Sequence, residues 1–126
     1  MVHLSKIYTK SGDGGETGLG DGTRLPKHHL RVASYGTVDE LSSVLGLAIA
    51  QGGLEDDVAA FLKGIQNDLF DVGSDLCVPG EMGEKLRVPA SYVERLERRI
   101  DELNEGLAAL DSFIQDETLP MNESGG

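Results

Sequence analysis

Between residues 37 and 104, apolar side chains recur at steps of three and four, the spacing of one face of an α-helix. Three such stripes separate. The first carries Val38, Leu41, Leu45 and Ile49, and "TVDE" at 37–40 opens it as a capping box. In that motif the Thr37 hydroxyl accepts from the backbone NH of Glu40, and Glu40 reaches back. Gln51-Gly52-Gly53 ends the run. The second stripe carries Leu54, Val58, Phe61, Leu62, Ile65, Leu69, Val72 and Leu76, and predicts a helix to about Cys77, before Pro79. Gly64 and Gly73 inside it cost about 1 kcal/mol each relative to alanine, which a stripe of that length absorbs. The third starts near Ala90, with Val93, Leu96, Ile100 and Leu103 on one face, and Leu107 and Leu110 extend it past Gly106.

The flanks lack this period. Residues 4–9, "LSKIYT", read as a short extended segment, with Ile7 and Tyr8 as β-formers. Ser11 to Arg24 is a glycine-rich loop, and Pro26 stops any helix from running through it. "PGEMGEKLRVP" at 79–89 is a second loop, and 115–126 reads as a mobile tail. The expected architecture is all-α: one domain over residues 1–114, with three bundled helices behind an N-terminal glycine loop. The second stripe is broad enough to want more than two neighbours.

Composition narrows the setting. At 126 residues, with 39% apolar and 5% aromatic side chains and no tryptophan, the chain suits one modest core. No run of about 18 apolar residues is present, so no membrane span is expected. Cys77 is the only cysteine, which points to a reducing cytoplasm. The net charge of −11 argues against general nucleic-acid binding. Its distribution is uneven. Residues 1–31 hold five basic and three acidic side chains, netting +2; the rest hold six and nineteen, netting −13. A cationic, glycine-rich segment on an acidic body suits a small anion.

Six of the eleven residues from Gly12 to Gly22 are glycine. A Walker-type loop needs a Gly-Lys that does not follow here, and a dinucleotide fingerprint needs a helix at once, whereas Arg24-Leu25-Pro26 intervenes. Asp13, Glu16 and Asp21 do not form an EF-hand ladder, though "GGETGLGDG" distantly resembles glycine–aspartate calcium repeats. A backbone nest is the fourth reading. Gly12, Gly14 and Gly15 would let successive NH groups face one concavity, with Thr9 and Thr17 as hydroxyl donors and Lys10 and Lys27 as charge. That inventory suits a triphosphate. His28 and His29 lack a third metal ligand and read as solvent-facing, and Cys77 reads as core.

"YTKSGDGGETGL", followed by "LPKHHLRVASYGTVDELSSVLGLA", resembles the start of the ATP:cob(I)alamin adenosyltransferases of the PduO type. "IQNDLFDVGSDL", "VERLERRIDELN" and "LDSFI" resemble the second helix, the third helix and the loop beyond it, so the likeness spans about residues 3–114. The resemblance implies a helical bundle of which three helices of five are present. It implies transfer of the 5′-deoxyadenosyl group of ATP to the cobalt of cob(I)alamin, releasing triphosphate. The implied partners are ATP, Mg²⁺ and the corrinoid, bound between subunits of a homotrimer. Thr9, Lys10, Ser11 and Gly12 match the first ATP-contacting run, Thr17 and Gly18 the second, and Lys27 a lysine on the phosphates. Asp39 matches an acid that pairs with an arginine and orders the corrinoid site; its plainer role would be a first-turn aspartate on the helix dipole. Phe113 matches a phenylalanine that crowds the lower face of cobalamin, with core packing as its plainer role.

After Ile114 the sequence leaves the family pattern, which would continue with a Pro-Gly-Gly turn and an arginine-rich helix. The apolar faces of the three helices are therefore expected to lie open to water, at about 25 cal/mol per Å². The alternative function is a non-catalytic module that binds ATP or a partner subunit.

Overall fold

The computed structural model describes residues 5–80 and 87–109. Along them run β1 (Glu16–Gly18), β2 (Arg24–Pro26), α1 (Leu30–Gln51), α2 (Asp56–Cys77) and α3 (Ser91–Asn104). The chain divides into two compact units, Met1–Tyr92 and Val93–Gly126. The first holds the hairpin and two long helices; all but two residues of α3 belong to the second.

The fold is mainly helical, as the periodicity requires, but α1 begins seven residues before the expected capping box. His29 is its N-cap: backbone in the extended region, Nδ1 accepting from the Arg31 NH at 3.1 Å. Thr37 lies inside the helix, where its hydroxyl donates to the Ala33 carbonyl at 2.9 Å rather than capping anything. Ser34 and Ser43 bond backwards in the same way, to Leu30 and Asp39. Such back-bonding lets hydroxyl residues sit inside a helix without freeing its backbone. Gly52, at φ 76° and ψ −171°, ends α1 in a positive-φ conformation that a side chain would resist.

α2 then returns beside α1. Arg31, at the start of α1, reaches the Leu76 carbonyl near the end of α2 at 2.8 Å, and the Gln66 amide donates to the Ser42 carbonyl at 2.9 Å. These pairings make the two helices antiparallel. Gly46 lets α2 come close, since a Cβ there would stand 3.1 Å from Gln66 Nε2. Asp56 and Asp57 occupy the first turn of α2, where the helix dipole favours them, whereas its last turn holds no basic residue of its own.

Residues 5–9 form no strand. β1 instead lies inside the predicted loop and β2 starts at its last residue, the two pairing antiparallel in the register Glu16↔Pro26, Thr17↔Leu25 and Gly18↔Arg24. Leu19, in the turn between them, is the one buried apolar side chain among the described residues, at 6% exposure. The outer face of α1 is open: Leu41, Val44 and Leu47 are all exposed, and Phe70 on α2 is 77% exposed. Leu110, Phe113, most of the 79–89 loop and the 115–126 tail lie outside the described residues.

Tyr92, in the first turn of α3, donates its hydroxyl to Asp71 Oδ2 at 2.7 Å. Tyr92→Phe is expected to lower stability by about 1 kcal/mol, since one part-buried hydrogen bond is lost with little change in shape. Urea unfolding of both proteins measures it; an unchanged midpoint would mean that the bond contributes nothing net.

Candidate nucleotide-binding site

Two tight turns precede β1. The Asp13 NH donates to the Lys10 carbonyl at 3.2 Å, and the Gly15 NH to the Gly12 carbonyl at 3.1 Å. Those two amides are thus used within the turns, so the loop is not a row of outward-facing NH groups. Its shape comes from side chains as well. Thr9 Oγ1 and Ser11 Oγ lie 2.8 Å apart, and the Ser11 NH points to the same Thr9 oxygen at 3.4 Å. Between them Lys10 is left-handed at φ 61°, an uncommon state for a residue with a side chain. Its ammonium stands 5.7 Å from the centre of the Tyr8 ring.

The hairpin folds Lys27 back onto this turn. The Lys27 NH donates to the Gly15 carbonyl at 2.9 Å, which closes the ladder one step beyond β2. Its side chain passes over Gly12 so closely that a Cβ there would meet Cε and Nζ at 3.0 Å. Glycine at position 12 leaves room for the ammonium, which any side chain there would push aside. Arg24 completes the frame. Its Nη2 donates to the carbonyls of Ser11 at 3.0 Å and Glu16 at 3.1 Å, tying the turn to the first strand.

The structure thus gathers Thr9, Lys10, Ser11, Gly12 and Lys27 around one turn. Thr17 and Gly18 stand on β1, opposite Leu25 and Arg24. Sequence reasoning counted Arg24 only as charge. Its signal was a basic residue one strand away from a glycine turn, which has meaning only once the strands pair. Hydroxyls, ammonium groups and small residues on a fixed turn can hold a phosphate chain without any cysteine, histidine or metal ligand.

Asp39 belongs to a different region. It is the tenth residue of α1, and the first turn of that helix holds no acid, so the dipole role does not apply. Asp39 lines an open groove of about 660 Å³ between α1 and α2, together with Tyr35, Ser42, Asn67, Phe70 and Ser74. Cys77 lines its end and is half-buried. His28 and His29 are exposed. Among the described residues, no group of three or more His, Cys, Asp or Glu converges as a metal site.

Comparison with known proteins places these features in a family. A family model described as cobalamin adenosyltransferase matches residues 7–122. The corrinoid adenosyltransferase of Mycobacterium tuberculosis is 44% identical over 116 residues, covering 90% of this chain and 60% of that protein. That of Bacillus subtilis is 46% identical over 113 residues, covering 86% and 57%. A variant PduO-type ATP:corrinoid adenosyltransferase from Lactobacillus reuteri, complexed with cobalamin and ATP, superposes with a TM-score of 0.77 at 35% identity, over 87% of this chain and 62% of that one. The chain spans about 60% of the length of the relatives it matches. Matched over nearly its whole length by the family model, the chain belongs to the cobalamin adenosyltransferase family.

Proposed function

We propose that this chain takes part in transferring the 5′-deoxyadenosyl group of ATP to cob(I)alamin. The observation that carries the reading is Lys27 folded over Gly12, beside Lys10 and the Thr9–Ser11 hydroxyl pair. In the reaction the Co(I) electron pair attacks C5′ of ATP, the C5′–O bond breaks, and its electrons leave on triphosphate as cobalt becomes Co(III). The metal of the substrate is the nucleophile, so the protein supplies none. Lys10 and Lys27 bind the negative charge, Thr9, Ser11, Gly12, Thr17 and Gly18 fix the phosphate chain, and this aligns C5′. Mg²⁺ bound with the nucleotide would supply further positive charge at the phosphates, beside Lys10 and Lys27.

Asp39, in the α1–α2 groove, orders the corrinoid side of the reaction, and Phe113 keeps a lower ligand off cobalt. Exposed Leu41, Val44 and Leu47 support assembly, for which we propose a homotrimer. Among the described residues no helix is long and apolar enough to cross a membrane. We place the reaction in the cytoplasm, where Cys77 stays reduced.

Calorimetry with MgATP and an anaerobic adenosylation assay test the reading together. The expected results are binding heat with ATP, and conversion of the cob(I)alamin spectrum to that of adenosylcobalamin with release of triphosphate. Retained ATP binding without turnover would reduce the chain to a nucleotide-binding module; the absence of heat would remove the cradle itself.

A further inference from the structure

The C-terminal turn of α2 receives donors from three separate parts of the chain. The Gly20 NH, in the hairpin turn, donates to the Cys77 carbonyl at 2.9 Å. Arg31, from the first turn of α1, donates to the Leu76 carbonyl at 2.8 Å. Arg87 donates to the Asp75 carbonyl at 3.1 Å. A helix end presents unpaired carbonyls and a partial negative charge, and α2 carries no basic residue in its own last turn. Those needs are met from outside the helix.

Gly20 is closely matched to this position. A Cβ on it would lie 2.6 Å from Val78 Cγ2 and 3.4 Å from the Cys77 carbonyl oxygen. Glycine is demanded by proximity. Leu19, the residue before it, is buried in the same turn. Gly73, Ser74 and Cys77 on that end of α2 also line the groove that holds Asp39. One helix end therefore joins the hairpin carrying Gly12 and Lys27 to the groove carrying Asp39.

We propose that Gly20 and Arg31 are positioning residues, which lock the nucleotide hairpin to the end of α2 and so set where the phosphate cradle stands relative to the α1–α2 groove. The inference rests on the reading of the hairpin as an ATP site. Neither residue is a nucleotide contact; Gly20 acts through the Cys77 carbonyl and Arg31 through that of Leu76. Arg31 fastens the start of α1 to the same turn, so hairpin, α1 and α2 share one fixed point.

The test compares the parent chain with Gly20→Ala, Gly20→Ala/Val78→Ala, Arg31→Met and Arg31→Lys. Two readouts are taken: amide hydrogen exchange of Leu19, Gly22 and Thr23, and MgATP affinity by calorimetry. Gly20→Ala should speed exchange in the hairpin and weaken ATP binding, each by about tenfold, with α1 and α2 amides unchanged. Removing Val78 Cγ2 makes room for the new methyl, so the double variant should recover most of both losses. Arg31→Met should weaken ATP binding similarly, and Arg31→Lys, which keeps a cationic donor, should restore part of it. Unchanged hairpin exchange in Gly20→Ala would overturn the anchor whatever ATP does. Faster exchange with parental ATP affinity would overturn the positioning role and leave the cradle standing. A parent chain that binds no ATP, with exchange responding as described, would instead remove the nucleotide site on which the positioning role depends. Affinity losses that simply follow melting of α1 and α2, without rescue by Val78→Ala, would likewise reject it.

Discussion

Alanine in place of Lys27 is expected to weaken MgATP binding by about 10- to 100-fold, with little change in the unfolding midpoint. The side chain is exposed, and its Cε and Nζ lie over Gly12. Little packing is lost when it is cut back. What disappears is a charged donor held over the turn, and hydrogen bonds to charged groups contribute about 1.5–3 kcal/mol, or about 10- to 150-fold in affinity. The ammonium group needs no fixed orientation, because lysine acts as a point charge on a flexible stem. Arginine at position 27 should therefore restore only part of the binding, since its planar head cannot lie over Gly12 in the same way. Added salt should reduce the parent's affinity more steeply than the variant's. Calorimetric titrations at two ionic strengths measure both effects. Equal affinities for parent and Lys27→Ala would place the phosphates elsewhere.

The largest stability loss is expected from Asp75→Ala, about 2–3 kcal/mol. Asp75 sits two residues before the end of α2, and its carboxylate accepts from Arg87 Nη1 at 2.7 Å and from the Val88 NH at 2.8 Å. The Arg87 side chain is only 10% exposed, while Asp75 is 27% exposed. Truncating the acid takes its carboxylate partner from a largely buried guanidinium that also donates to the carbonyls of Asp75 and Gly80. The partial exposure of Asp75 keeps the loss at the lower end for a broken internal pair. Two comparisons separate the causes. Asp75→Asn keeps an acceptor and should lose less. Asp75→Ala/Arg87→Met removes the stranded charge and should be more stable than the two single losses added. Urea unfolding gives all four values, and a loss under about 0.5 kcal/mol for Asp75→Ala would show that the pair contributes no more than an exposed one.

The α1 and α2 regions show how far local pattern reaches. α2 appears over Asp56–Cys77, within two residues of its apolar stripe, because eight apolar positions and the following Pro79 leave no competing period. The start of α1 was misplaced for a clear reason. "LRVASYG" carries no clean stripe, and Thr37-x-x-Glu40 imitates a cap; the true cap is a histidine nitrogen, a weaker sequence signal than serine or aspartate. The strands escape sequence pattern because runs of three residues, Glu-Thr-Gly and Arg-Leu-Pro, are too short to show alternation. Their pairing depends on Arg24 bridging Ser11 and Glu16, and on the Gly20 bond to α2.

For the site, the chain's own order supplied the ingredients: hydroxyls at 9, 11 and 17, ammonium groups at 10 and 27, and the glycine run. It also supplied the helical class, since burying a 3.6-residue stripe needs no partner to be recognised. Folding alone decided that Lys27 returns to Gly12 across fifteen residues, that Arg24 is a brace, and that Asp39 faces a groove made with α2. Periodicity and composition report what each segment would bury or attract. Which distant atoms meet depends on loop closure and on where unpaired carbonyls find their donors, and those contacts exist only in three dimensions.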